Sequence, residues 1–138
     1  MIIRLANAAD IKNIAMREHI SEEKIADKIA RVEVYVMYEN CNFIGWLRYG
    51  YFWDIIPFMN MLEILPDYQG KGLGRKLVEH WHNEMKAQGY KTVMTSTQQN
   101  ENAQHFYNKL GYVSVGGFVQ SLRVVDGDSY EIILTKEL

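Results

Sequence analysis

Leu65-Pro66-Asp67-Tyr68-Gln69-Gly70-Lys71-Gly72-Leu73-Gly74 is the stretch on which the reading of this chain turns. An apolar run, Met59 to Leu65, leads into it, and an amphipathic segment starting at Leu73 leads out. The pattern predicts a strand, a glycine loop and a helix in that order. Glycine has no Cβ, so three glycines at alternate positions let backbone N–H groups approach a ligand without clash. The first turn of a helix adds unpaired N–H groups and the positive end of the helix dipole. Together these features form a cradle for phosphate or pyrophosphate. Lys71, Arg75 and Lys76 place positive charge around it.

Two familiar phosphate loops do not fit. The nucleoside-triphosphate loop requires Gly-x-x-x-x-Gly-Lys-Ser/Thr, which does not occur. The dinucleotide fingerprint requires Gly-x-Gly-x-x-Gly, and Gly70, Gly72 and Gly74 fall one residue short of it. The loop also lies mid-chain, with no clear βαβ unit legible around it.

Working outward, Met1 to Leu5 reads as a first strand. Asn7 caps a helix from Ala8, and Ser21 caps a second that brings Ile25 and Ile29 together. Val32 to Tyr38 alternates as a strand and turns at Glu39-Asn40-Cys41-Asn42, and Phe43 to Tyr51 returns. Asp54 to Pro57 reads as a bend. After the loop, Leu73, Leu77, Val78, Trp81 and Met85 form one helical stripe that Gly89 ends. Lys91 to Thr97 is rich in strand formers. Asn100 to Leu110 is helical and stops at Gly111. Tyr112 to Val119 and Tyr130 to Lys136 are closing strands, joined by Asp126-Gly127-Asp128-Ser129. This order predicts an α/β protein with a mixed sheet and helices on its faces.

The 138 residues suit one domain spanning 1–138. A net charge of −2 gives no global attraction to nucleic acid or an anionic membrane, and neither is expected as a partner. The single cysteine, Cys41, allows no intrachain disulfide, which points to a reducing cytoplasm. No signal peptide or 18-residue apolar span is present. His80 and His82 stand two apart on a helix and do not share a face, so no metal site is expected there. His19 and His105 read as surface or rim residues.

A second motif follows about 30 residues downstream: Asn100-Glu101-Asn102-Ala103-Gln104-His105-Phe106-Tyr107-Asn108-Lys109-Leu110-Gly111-Tyr112. Taken together, the two motifs resemble the GNAT superfamily of N-acetyltransferases. That family's loop reads Gln/Arg-x-x-Gly-x-Gly/Ala, and its second motif reads Asn-x-x-Ala-x-x-Phe-Tyr-x-Lys-x-Gly-Phe/Tyr. Gly70 and Gly72 fill the glycine places, with Gln69 directly before them. Asp67 departs from the outer Gln/Arg place. Asn100, Ala103, Phe106, Tyr107, Lys109, Gly111 and Tyr112 match the second motif place by place. The resemblance covers residues 59–118; the first half of the chain matches by element order alone.

The resemblance implies a GNAT-type acetyl-CoA-binding fold, with a central, mostly antiparallel sheet flanked by helices. It implies that acetyl-CoA is the acetyl donor and that no metal takes part. Gly70, Lys71, Gly72, Leu73, Gly74 and Arg75, beside Gln69, would hold the pyrophosphate. The pantetheine arm would pair with backbone around Leu65 and Asp67, and Asn100 would hydrogen-bond it. An N–H near Ile64 or Leu65 would stabilise the developing oxyanion. Tyr107 would be general acid to the CoA sulfur; helical periodicity also fits a core tyrosine. Glu63 is the candidate general base, in competition with deprotonation through water, and strand alternation does not reveal which face it occupies.

The acceptor would be a small-molecule amine or a peptide or protein amine. Tyr49, Tyr51, Phe52, Trp53 and Phe58 would either line its pocket or serve as core and a homodimer contact. Glu22, Glu23 and Asp27 would attract a cationic acceptor or form a solvated helix face. A non-catalytic acyl-CoA sensor on the same fold is the alternative from another class. A nucleotide-binding protein is disfavoured by the missing Gly-Lys-Ser/Thr run.

Overall fold

A computed structural model describes residues 1–99, 102–120 and 130–138. Strands β1 (Ile2–Leu5), β2 (Val34–Glu39), β3 (Asn42–Phe52), β4 (Ile56–Ile64), β5 (Thr92–Gln98), β6 (Val113–Val119) and β7 (Tyr130–Glu137) form one sheet of order β1-β2-β3-β4-β5-β7-β6. Every neighbouring pair is antiparallel except β4 and β5. The mostly antiparallel sheet anticipated from the sequence is therefore present. Helices α1 (Ile11–Ala15) and α2 (Glu22–Ala30) precede β2, α3 (Leu73–Ala87) joins β4 to β5, and α4 (Ala103–Lys109) precedes β6.

The caps follow local chemistry. Ser21 Oγ accepts from the N–H of Lys24 at 3.2 Å and opens α2. Asn7 Oδ1 accepts from Ala9, and Asp10 Oδ2 accepts from the Asn7 N–H at 2.8 Å, closing a capping box at a 3-10 turn that leads into α1. Buried Asp10 also receives Arg4 at 2.8 Å and the Tyr38 hydroxyl at 2.6 Å, which ties this corner to β1 and β2. Gly89 and Gly111 end α3 and α4 with φ of +96° and +95°, the left-handed conformation that glycine adopts without strain.

Two apolar clusters lie on the sheet. Leu73, Leu77, Val78, Trp81 and Met85 of α3 pack with Ile44, Leu47, Tyr49, Met59 and Ile64. Ile14 and Ile25 of the first helices pack with Val34, Val36, Phe43 and Trp46.

Four sequence expectations change. Val32 has φ of +56° and stands outside the strand, which begins at Val34. The bend after β3 occupies Trp53–Ile55, and Pro57 belongs to β4 opposite Tyr51. The N-cap position of α4 is Asn102, and its side chain makes no capping bond; Asn100 lies outside the described residues, as does the turn Asp126–Ser129. Finally, β4, α3 and β5 do form a βαβ unit, through the single parallel pair among the described residues.

Candidate functional site

The site begins with two irregularities of β4. Between the Arg48↔Met61 and Tyr49↔Met59 positions the register with β3 shifts, leaving Asn60 as an extra residue on β4. Such a bulge bends its strand and sharpens the local twist. On the other side, β4 meets β5 at only two positions, Phe58↔Met94 and Met59↔Thr95. Thr95 Oγ1 donates to the Met59 carbonyl at 3.0 Å and closes the end of this short ladder. Residues 60–64 of β4 and 96–98 of β5 have no ladder partner across the gap. The sheet is thus split at the carboxyl ends of its two parallel strands.

A cavity of about 520 Å³ opens beside the carboxyl end of β4, where that strand has lost its β5 partner. Leu62, Glu63 and Ile64 line it from β4, and Tyr68, Gln69, Gly70 and Gly72 from the loop. Leu73, Gly74 and Arg75 contribute from α3, and Ala103, Phe106 and Tyr107 from α4. The structure thus gathers Glu63, Gln69, Gly70, Gly72, Leu73, Gly74, Arg75 and Tyr107 around one space. Leu65, Asp67 and Lys71 do not line it.

The loop geometry explains its glycines. Gly70 and Gly72 have φ of +77° and +78°, and a Cβ on either would meet no protein atom within 4 Å. Packing within the chain therefore leaves room beside both; the left-handed backbone requires glycine, and the open side faces outward. Gly72 is the N-cap of α3. Its carbonyl accepts the first intrahelical bond, from Lys76 at 3.2 Å. The N–H groups of the first helical turn precede that bond and are directed at the loop. Gln69 Nε2 donates to the Ile64 carbonyl at 2.7 Å, fastening the loop to the end of β4.

The loop's positive charges are less available than the sequence suggests. Arg75 Nε is engaged by Glu79 at 2.7 Å, and Lys71 Nζ sits 5.8 Å from the centre of the Tyr68 ring.

The face question for Glu63 is settled by its neighbours. Leu62 and Ile64 belong with the α3 cluster, and Met61 and Leu65 with the α1–α2 cluster. Alternation puts Glu63 on the α1–α2 face. Because β4 lacks a partner on its β5 side here, residues of both its faces line the cavity. Burial pushes the Glu63 carboxyl above the ordinary carboxylate range, and the negative charge of Glu18 adds to this. The Leu65 N–H is committed to the Ile44 carbonyl at 2.8 Å. Backbone alternation then directs the N–H of Ile64 away from β3, to the split edge. Of the two positions expected to supply an oxyanion donor, only Ile64 has this orientation.

Tyr107 is 8% exposed and also borders the cavity. Its ring meets Phe106 and Tyr112 edge-on at 5.2 and 5.5 Å. The aromatic patch divides. Tyr49 is core, 2% exposed and packed with Tyr35 and Trp81. Trp53 is exposed on the turn. Tyr51, Phe52 and Phe58 line a second cavity of about 290 Å³ with Asn60, Ser96, Phe118 and Ile133. Glu22, Glu23 and Asp27 lie on the exposed face of α2. His19 and His105 are exposed, whereas His82 is buried beside Tyr112.

Sequence reasoning missed Leu62, Tyr68, Ala103 and Phe106 as lining residues. Leu62 and Phe106 adjoin residues it did select, so alternation along β4 and adjacency on α4 carried the signal. The split itself had none.

Among the described residues, no cluster of His, Cys, Asp and Glu is arranged to hold a metal ion, and no helix is long and apolar enough to cross a membrane.

Residues 30–114 match the profile of the acetyltransferase (GNAT) domain family. The chain is 31% identical over 93 residues to the L-amino acid N-acyltransferase MnaT of Escherichia coli (strain K12), a match covering 64% of this chain and 54% of that protein. It thus spans about half the length of this curated relative. The fold superimposes on Ard1 from Thermoplasma volcanium with a TM-score of 0.86 at 14% identity, covering 99% of this chain and 97% of that one. It superimposes on Arabidopsis thaliana Naa50, solved with the bisubstrate analogue CoA-Ac-MVNAL, with a TM-score of 0.82 at 18% identity, covering 99% and 98%.

Proposed function

The chain belongs to the acetyltransferase (GNAT) domain family, and from that premise we propose that it is an acetyl-CoA-dependent N-acetyltransferase acting on a primary amine. The observation that carries this reading is the split between β4 and β5, with a glycine loop and a helix N-terminus at its rim. A long, narrow donor with a pyrophosphate at one end suits that shape. Acetyl-CoA would supply an activated thioester carbonyl and a thiolate leaving group.

The backbone N–H groups of Gly70 to Arg75 would hold the pyrophosphate. The free edge of β4 would pair with the amide arm, between Leu62 and Leu65. Asp67, exposed in a 3-10 turn over Pro66–Tyr68, and Lys71 would contribute at the solvent rim, and Asn100 would contact the arm from the second motif. Gln69 would act through its bond to Ile64, by fixing the loop.

The amine nitrogen attacks the thioester carbon, and the C–N bond forms as the C–S bond breaks. Glu63 takes a proton from the attacking nitrogen, a task suited to a carboxylate held above its ordinary range. The N–H of Ile64 faces the charge developing on the carbonyl oxygen. Tyr107 gives its proton to the departing sulfur.

The acceptor is a small-molecule amine or the amine of a peptide or protein. The name of the curated relative favours the former and the analogue bound to Naa50 the latter. The cavity between Phe52, Phe58 and Phe118 offers an apolar group of the acceptor a place on the face that carries Glu63. The uncharged edge strand β6, with Val113, Val115, Phe118 and Val119 exposed, is where a second copy would pair. The unpaired Cys41 suits a cytoplasmic location.

Thermal unfolding with acetyl-CoA, ATP or NAD tests the donor. A ligand at a hundred times its dissociation constant stabilises by about 2.7 kcal/mol, so acetyl-CoA should raise the melting temperature by several degrees. A shift with ATP or NAD and none with acetyl-CoA would overturn the assignment.

A further inference from the structure

Glu18 stands in the short segment between α1 and α2, yet its side chain is completely buried. It is also unusually well bonded. Oε2 accepts from the Trp46 indole N–H and from Arg48 Nε, each at 3.1 Å. Oε1 accepts from the Arg48 guanidinium at 3.4 Å and from the His19 backbone N–H at 3.3 Å, and His19 Nδ1 lies 3.0 Å away. Trp46 and Arg48 are neighbours on one face of β3 and are themselves buried. Burying an ionised carboxylate is costly unless donors surround it, and here they do.

The register links this cluster to the candidate site. Trp46 is the cross-strand partner of Glu63, and Arg48 that of Met61. Directly opposed residues on an antiparallel pair have Cβ atoms about 5 Å apart. Glu18 is therefore bonded to the immediate neighbour of Glu63, on the sheet face that both share.

We propose that Glu18 is a positioning residue for Glu63: through Trp46 and Arg48 it fastens the α1–α2 segment over that face and holds a second negative charge beside the candidate base. Two carboxylates held close resist being ionised together, which makes the solvent-accessible one the better proton acceptor. Glu18 is enclosed and paired with Arg48, whereas Glu63 is open to the cavity and takes the proton. The other titratable or charged groups around Glu63 are His19 and Arg48 on this side, and Tyr68, Arg75 and Tyr107 across the cavity. None of them is an anion, so Glu18 is the repelling neighbour.

This rests on the reading of Glu63 as base, but it can be tested apart from it. Glu18→Gln keeps one acceptor oxygen for Trp46 and Arg48 while removing the charge. It takes away the repelling anion and frees the Arg48 cation, and both changes ease ionisation of Glu63. Carboxyl-carbon NMR of glutamate-labelled protein, assigned with Glu63→Gln, follows the titration without any acceptor. The Glu63 midpoint should fall by about half a pH unit in Glu18→Gln. If that variant does not fold, Glu18→Ser carries the same expectation. An unchanged or higher midpoint would overturn the proposal, since a purely structural role leaves the titration in place. Separately, full transfer activity in Glu63→Gln would remove Glu63 as the base, whatever the titration shows.

Discussion

Nε2 of His82 lies 2.7 Å from the hydroxyl of Tyr112, inside the core between α3 and the sheet. A neutral imidazole can accept a hydrogen bond from the tyrosyl hydroxyl there. Burial, helped by the cation of Lys136, pushes His82 down to about 4 from the ordinary 6.5. The unfolded chain therefore takes up a proton near pH 6.5 that the folded protein refuses until about pH 4. Stability from this group is complete above 6.5 and is lost as pH falls through that window. Urea unfolding should give a free energy about 2 kcal/mol lower at pH 5 than at pH 7, with His82→Gln flattening the difference. Equal slopes for the two proteins would mean that His82 is not the responsible group.

Tyr107 borders the cavity and packs edge-on against Tyr112. Tyr107→Phe keeps the ring and removes the proton. If the hydroxyl protonates the leaving sulfur, kcat should fall by about a hundredfold or more, the usual contribution of a general acid. Acetyl-CoA affinity, read by calorimetry, should change little. A variant with the wild-type rate would return Tyr107 to a packing role.

Gly72 and Gly89 share a left-handed backbone, and neither would give a Cβ any contact within 4 Å. Alanine at either position should destabilise by about 1–2 kcal/mol, the cost of that conformation for an L-residue. Only Gly72 borders the cavity. Gly72→Ala should therefore weaken acetyl-CoA binding severalfold beyond the stability loss it shares with Gly89→Ala. Identical affinities in the two variants would argue against pyrophosphate at the loop.

What could be read from the sequence was local. The spacing of Gly70, Gly72 and Gly74 placed the loop, and Leu73, Leu77, Trp81 and Met85 placed the helix behind it. Ser21 and Asn7 announced their caps by side-chain chemistry alone. The rest depends on pairing between distant segments. The bulge at Asn60 arises from the register of β3 against β4, and the split arises because β5 leaves β4 after two positions. No periodicity within Met59–Leu65 encodes either. Glu18 was invisible for the same reason: its partners Trp46 and Arg48 lie about 30 residues away. Tyr49 and Tyr51 looked alike as one aromatic patch, and only packing separated core from cavity.

Acetyl transfer from CoA bound beside β4 would release free thiol from acetyl-CoA, which can be followed across a panel of amines, amino acids and peptide N-termini. At least one acceptor should liberate CoA well above the amine-free rate and gain one acetyl group by mass spectrometry, with both signals lost in a Glu63→Gln, Tyr107→Phe double variant. Acetyl-CoA binding with no thiol release from any amine, peptide or cell extract would contradict it, and would leave the chain as an acyl-CoA sensor.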